Sequence, residues 1–249
     1  MSAKVVLITG ASRGIGAATA LLCAVQGYDL ALNFAQDEAS ASHLAEQVRR
    51  MCRRAVTIQA DVSREADVLR LFATIDAELG PLTALVNNAG IVAPVARVDQ
   101  MAFDRINRMF AVNVLGSFLC AREAVLRMST RHGGKGGVIV NVSSRAAELG
   151  SPGIFVDYAA SKGAIDSFTV GLAREVAGEG IRVNAVRPGL IATEIHAASG
   201  MADRLTTGVS SVPMLRIGTA QEVGQAIVWL LSDASSYTTG TLLDVGGGR

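Results

Sequence analysis

The sequence predicts an α/β fold built on a doubly wound, seven-stranded parallel sheet with helices on both faces. Three observations lead there. Short β-branched apolar runs alternate with longer helical stretches along the whole 249-residue chain. The runs are continuously apolar rather than alternating, which suits parallel strands buried on both faces. No internal repeat, low-complexity linker or break in composition divides the chain, and its length is ordinary for one α/β domain.

Taken in order, the first strand is read at Lys4–Thr9, followed by a glycine turn and an Ala- and Leu-rich helix over Gly14–Gln26. The second strand, Asp29–Phe34, leads through Ala35-Gln36 to Asp37, which opens a helix over Glu38–Arg53. The third strand is Ala55–Ala60, with a helix over Glu65–Leu79, and the fourth is Thr83–Asn87. A long helical stretch, Gln100–Thr130, precedes the fifth strand, Gly137–Ser143. A helix over Asp157–Gly178 leads to the sixth strand, Arg182–Val186. The last helix, Ala220–Ser232, leads to the seventh strand, Thr241–Asp244. One long irregular stretch remains, residues 189–213, and a connection of that length is expected to be a substrate lid at about 190–213. Gly133-Gly-Lys-Gly-Gly137 has a phosphate-loop look, but it runs from helix to strand, the wrong order for a cradle, and is read as a turn.

Composition narrows the function classes. Half the residues are apolar, 18% are charged and the net charge is +1, with no basic block or charged tail. A compact globule is expected, with neither nucleic acid nor an anionic membrane as partner. No apolar run reads as a bilayer span and no cleavable leader is expected, so the expected location is cytoplasmic. Cys23, Cys52 and Cys120 are scattered and read as small buried hydrophobes in a reducing compartment. His43, His132 and His196 are equally scattered, so no metal site is expected.

The chemistry concentrates between Ser143 and Lys162. A serine pair, Ser143 and Ser144, closes the fifth strand, a Gly150–Gly153 turn follows, and then comes Tyr158-Ala-Ala-Ser-Lys162. Residues four apart on a helix share a face. An ammonium there favours phenolate and lowers the phenol's pKa. A phenol poised in that way can give or take a proton at a carbonyl or alcohol oxygen. The chain has 20 Arg but only three Lys, and lysine is the compact, titratable cation of the two.

The other end of the sheet reads as a nucleotide site. Gly10-Ala-Ser-Arg-Gly14-Ile-Gly16 joins a strand to a helix, where backbone amides and the helix N-terminus favour a pyrophosphate. The spacing is G-x-x-x-G-x-G rather than G-x-G-x-x-G. Asp61-Val62 follows the third strand, where a carboxylate can accept from an adenine amine, and Asn87-Asn88-Ala-Gly90 closes the fourth. Pro188-Gly189 follows the sixth, so all these pieces fall at the binding edge of an open α/β sheet. An acid ending the second strand would select NAD, but here the strand ends Asn33-Phe34-Ala35-Gln36. Arg13 offers a charge for a 2′-phosphate, so NADP(H) is favoured and NAD(H) stays open as the alternative.

With these segments in order, the chain resembles the short-chain dehydrogenase/reductase family. It looks most like the branch that holds 3-oxoacyl carrier-protein reductases and glucose 1-dehydrogenases. The residues that carry the likeness are Thr9–Gly16, Asn87–Gly90, Asn113, Ser144, Tyr158, Lys162 and Pro188-Gly189. The resemblance implies a Rossmann-type domain and a catalytic set of Asn113, Ser144, Tyr158 and Lys162. Tyr158 would be the acid/base, and Lys162 would lower its pKa and hold the nicotinamide ribose. Ser144, with Ser143 as fallback, would hydrogen-bond the substrate oxygen. Asn113 would hold a water linking Lys162 to solvent.

The resemblance also implies cofactor contacts from Gly10, Ser12, Arg13, Gly14, Ile15 and Gly16 in the first turn and from Phe34 after the second strand. Asp61, Val62, Asn88 and Gly90 would line the middle of the site. Pro188, Gly189, Ile191 and Thr193 would join Tyr158 and Lys162 at the nicotinamide end. The partners implied are a small-molecule substrate and further copies of the chain in a homotetramer. Carrier-protein reductases of this family tend to carry arginine where this chain has Glu179, and a carboxylate facing an acidic carrier is unfavourable. A free sugar-like or keto substrate is therefore expected, with carrier-protein reduction as the alternative. A non-catalytic dinucleotide sensor is the reading of another class, and an epimerising relative is a third.

Overall fold

A computed structural model describes residues 4–193 and 208–249. Seven parallel strands form the central sheet: β1 (Val5–Ile8), β2 (Asp29–Phe34), β3 (Ala55–Gln59), β4 (Ala84–Asn87), β5 (Gly137–Val142), β6 (Ile181–Pro188) and β9 (Leu242–Val245). Their order is β3-β2-β1-β4-β5-β6-β9. Chain direction across the sheet therefore reverses between β1 and β4, and the crevice at the carboxyl ends of those strands is the natural ligand site. All seven expected strands are present, each within two residues of its expected ends.

Strand periodicity divides the core. Val5 and Leu7 face one side with α3 (Glu65–Glu78), α5 (Gly116–Met128) and the end of α7 (Val156–Val176). Val6 and Ile8 face the other side with α1 (Gly14–Val25), α2 (Glu38–Arg50) and α8 (Ala220–Leu231). Asp37 caps α2, its carboxylate accepting from the Ser40 amide at 3.0 Å.

The expected single helix over residues 100–130 is compound. A 3-10 turn at Val98–Gln100 precedes α4 (Phe103–Phe110), which runs through a π-helical turn, Ala111–Leu115, into α5. This run of 26 residues contains an 18-residue window of mean hydropathy 1.5, long and apolar enough by length and composition to cross a membrane. More than half of that window is buried, against the sheet and its neighbouring helices. Two features were not expected from sequence: the short helix α6 (Ala146–Leu149), and a two-stranded parallel sheet of β7 (Ile191–Ala192) and β8 (Gly218–Thr219). Of the expected lid, residues 194–207, including Glu194, His196 and Met201, lie outside the described residues. Cys23 and Cys120 are buried as expected, whereas Cys52 is exposed at a left-handed turn after α2.

Candidate active site

A cleft of about 780 Å³ opens along the carboxyl ends of β1, β4, β5 and β6. Its floor is set by ties between two loops. Asn88 donates through Nδ2 to the carbonyls of Thr9 and Gly10, both at 2.9 Å, and the Thr9 hydroxyl accepts from the amides of Asn88 and Ala89, both at 3.0 Å. Gly10 sits in this junction at φ +61°, where a Cβ would fall 2.9 Å from Ala89 Cα. Both its conformation and the close approach exclude a side chain.

Beyond Gly10 the chain enters α1, whose N-cap residue, Arg13, makes no side-chain cap. Among the described residues no side chain accepts from the first-turn amides, which leaves them for an anion in the cleft. Ser12, Arg13, Gly14 and Ile15 line this end, as do Asp61, Val62, Asn88 and Gly90. Asp61 is already engaged: Oδ1 accepts from the Ser63 amide and hydroxyl at 3.0 and 2.7 Å, and Oδ2 accepts from Arg108 at 3.0 Å. Burial raises its pKa, but the hydrogen bonds from Ser63 and Arg108 outweigh that and hold it below the usual carboxylate range. A carboxylate has about four lone-pair sites, so room remains for an adenine amine. Two expected contacts fall elsewhere. Phe34 is buried and does not line the cleft, because the pleat turns it inward while Asn33, Ala35 and Gln36 face the opening. Gly16 is buried behind the first turn.

At the other end, α7 carries Tyr158, half-buried and lining the cleft, and Lys162, buried one turn further on. The Lys162 ammonium donates to the Val142 carbonyl at 2.7 Å, which fixes it under the end of β5. Burial pushes its pKa down to about 8, with Asp166 pulling the other way. A Cβ on Gly90 would lie 3.5 Å from Lys162 Nζ, so the bare glycine leaves space directly before the ammonium. The two serines separate. Ser143 is buried and donates its hydroxyl to the Lys162 carbonyl at 3.2 Å. Ser144 lines the cleft half-exposed, and its Oγ accepts from the Ala146 amide at 3.1 Å, leaving its own proton to donate.

Asn113 does not line the cleft. It sits in the π-helical turn, buried, with Oδ1 accepting from the Ile91 amide at 2.8 Å and Nδ2 donating to the Ile91 carbonyl at 3.0 Å. It also donates to the Ser161 hydroxyl at 3.1 Å. Its side chain thus braces the β4 loop against α7, beside the Tyr158–Lys162 turn. Pro188, Gly189, Ile191 and Thr193 also line the cleft. Sequence reading missed Arg108, Arg145 and the apolar wall of Leu149, Pro152, Ile154 and Phe155. The wall lies between the serine pair and Tyr158, so the apolar residues in the turn before Tyr158 were the available signal.

Glu179 needs a correction. Rather than facing outward, its carboxylate accepts from the Ser129 hydroxyl at 2.5 Å and pairs with Arg131 at 3.9 Å, with the side chain only 21% exposed. Ser129, buried at the end of α5, supplies the donor that draws the acid inward.

The start of α1, the Ser144 hydroxyl and the Tyr158–Lys162 pair thus lie along one cleft at the carboxyl edge of a doubly wound sheet, the edge at which open α/β folds bind nucleotides. Residues 10–249 match the family described as enoyl-(acyl carrier protein) reductase. The uncharacterized oxidoreductase YgfF of Escherichia coli is 53% identical over 245 residues, covering 98% of this chain and 99% of that protein. Glucose 1-dehydrogenase 2 of Bacillus subtilis is 35% identical over 248 residues, covering all of this chain and 95% of that one. A crystal structure of a short-chain type dehydrogenase/reductase from Mycobacterium marinum superposes with a TM-score of 0.93 at 33% identity, covering 99% and 95% of the two chains. The chain belongs to the short-chain dehydrogenase/reductase family. It is an oxidoreductase, and its family uses nicotinamide dinucleotides.

Proposed function

We propose that the chain is an NADP(H)-dependent oxidoreductase acting on a free, small carbonyl or alcohol substrate. The observation that carries this reading is the meeting of Ser144, Tyr158 and Lys162 at one end of a cleft whose other end is the uncapped start of α1. A bound nicotinamide supplies or accepts the hydride. Tyr158 gives its phenolic proton to the carbonyl oxygen as that oxygen gains charge, and takes it back in the reverse direction. Ser144 donates to the same oxygen. Lys162 holds the phenolate that forms, and Asn113 keeps the Ile91 backbone in place in front of it.

NADP(H) is favoured because Arg13 is exposed at the rim of the cleft, while Asp37, the acid that also lines it, stands three residues beyond the end of β2, at the start of α2, rather than at the strand end. Leu149, Pro152, Ile154 and Phe155 favour a keto compound with an apolar body over a polyhydroxylated sugar. Carrier-protein reduction is the second reading, because the inward Glu179 leaves Arg131, 76% exposed, on the surface. We also place a homotetramer on the helical face that exposes Leu115, Phe118 and Leu126.

The test is turnover of Tyr158→Phe with keto compounds, sugars and carrier-linked acyl groups, each with both cofactors. The variant should lose turnover while binding NADPH as the native chain does. Undiminished turnover would remove Tyr158 from the chemistry.

A further inference from the structure

Asp166 lies one helical turn beyond Lys162 on α7, in a place where an acid is expensive. Its side chain is 14% exposed, and Oδ1 is shut off from solvent with no hydrogen-bond partner among the described residues. Oδ2 is 3.6 Å from Arg187 Nη1 on β6. Arg187 is itself shared: its Nε donates to Asp244 on β9 at 2.6 Å, and Nη2 lies 3.4 Å from Glu148 on α6. Arg145, next to Ser144, donates to the same Asp244 at 2.7 Å. Just beyond β5, the Ser143 hydroxyl has one proton and two acceptors near it; it gives the proton to the Lys162 carbonyl but is close enough to favour the ionised acid. Burial nonetheless pushes the Asp166 pKa up, against Ser143, Arg187 and Lys162.

A half-satisfied buried carboxylate destabilises a fold, and asparagine or a small apolar residue would be easier to bury there. Its charge is then available to a neighbouring group on the same face. The nearest cation on its own helix face is Lys162, which must stay protonated although burial opposes it.

We propose that Asp166 is a positioning residue of the active site. Held by Arg187 and carried one turn from Lys162, its carboxylate keeps the Lys162 ammonium charged over the range in which Tyr158 exchanges its proton. The other charged or titratable groups near this pair are Tyr158 on α7, Arg187 on β6, Asp244 on β9, and Glu148 and Arg145 beside α6. Asp166 makes no ion pair within 4 Å of Lys162 and acts on it across the helix turn, and among the described residues none of these other groups places a second anion on that face. The proposal rests on reading Tyr158 and Lys162 as the proton-handling pair.

The chain has only three lysines, Lys4, Lys135 and Lys162, so lysine labelled with carbon-13 at Cε gives three NMR signals. Loss of one signal in Lys162→Met assigns it. Removing an anion lowers the pKa of a nearby amine, so Asp166→Asn should move the Lys162 midpoint down by about half a pH unit or more. Asp166→Glu, which keeps the charge, should leave it near the native value. In turnover, the alkaline limb of the reduction profile should move to lower pH in Asp166→Asn alone, with NADPH affinity changed less than about twofold. An unchanged Lys162 midpoint in Asp166→Asn, or in Asp166→Ser if the asparagine variant does not fold, overturns the proposal. So does an equal shift in Asp166→Glu. The NMR titration reads Asp166 whether or not turnover is found, so a failed functional reading leaves this result standing.

Discussion

The Lys162 ammonium lies 5.7 Å from the centre of the Tyr158 ring, with Gly90 leaving the space beside it bare. Lys162 is also buried, and burial of an amine is unfavourable. The Lys162 pKa falls from 10.5 to about 8 on folding. Below pH 8 the amine is protonated in both the folded and unfolded chain, and the destabilisation is present in full. Between about 8 and 10.5 the unfolded chain holds the extra proton, so this group's destabilisation is relieved as pH rises.

Lys162→Met should therefore stabilise the protein while abolishing activity. The desolvation it removes is on the order of 3 kcal/mol at neutral pH, and the orphaned Val142 carbonyl takes back about 1–2 kcal/mol. Urea denaturation at pH 7 should show a gain of about 1–2 kcal/mol, shrinking toward pH 10. A loss of stability at pH 7 would mean that the ammonium is better satisfied than its one hydrogen bond to Val142 implies.

NADPH should bind more tightly than NADH, and Arg13→Ala should narrow the gap. One charge-assisted contact contributes about 1.5–3 kcal/mol, so roughly tenfold or more of preference is at stake. Asp37 provides the counter-test. Asp37→Asn should weaken NADH little, since Asp37 starts α2 rather than ending β2, where an acid would hold the ribose hydroxyl. Quenching of intrinsic fluorescence with each cofactor measures both effects, and equal affinity for the two cofactors in the native chain would sink the NADP reading.

Asn113→Ala should act on stability as well as turnover. It strips partners from the Ile91 amide and carbonyl and from the Ser161 hydroxyl. Each orphaned group near the interior destabilises by about 1–3 kcal/mol. A melting temperature lowered by several degrees, together with loss of turnover, is the expected result. Lost turnover at native stability would assign Asn113 a role in the chemistry alone.

The strands were legible because parallel strands covered on both faces must be apolar throughout, as Val5–Ile8 and Gly137–Val142 are. The turn residues were legible for the same kind of reason: Gly10 sits where Ala89 leaves no room for a Cβ, and Gly90 keeps open the space before the Lys162 ammonium. What escaped reading depends on partners distant in sequence. Nothing local in Ala111–Leu115 marks a π-helical turn, whose Asn113 bonds to Ile91 22 residues away. Glu179 looked like a surface charge because its donor, Ser129, lies 50 positions earlier. The inward turn of Phe34 follows from where the pleat ends, which apolar patterning alone fixes only to within a residue.

The bonds from Asn88 to Thr9 and Gly10 close the seam between two strands that are adjacent in the sheet but nearly 80 residues apart in sequence. They form within the polypeptide itself, so a ligand entering the crevice meets a mould already set. Little chain entropy remains to be lost at that end, and most of the contact energy can appear as affinity. Replacing the Asn88 amide with an apolar side chain would loosen the mould at its parting line, and cofactor binding would then carry a folding penalty of its own.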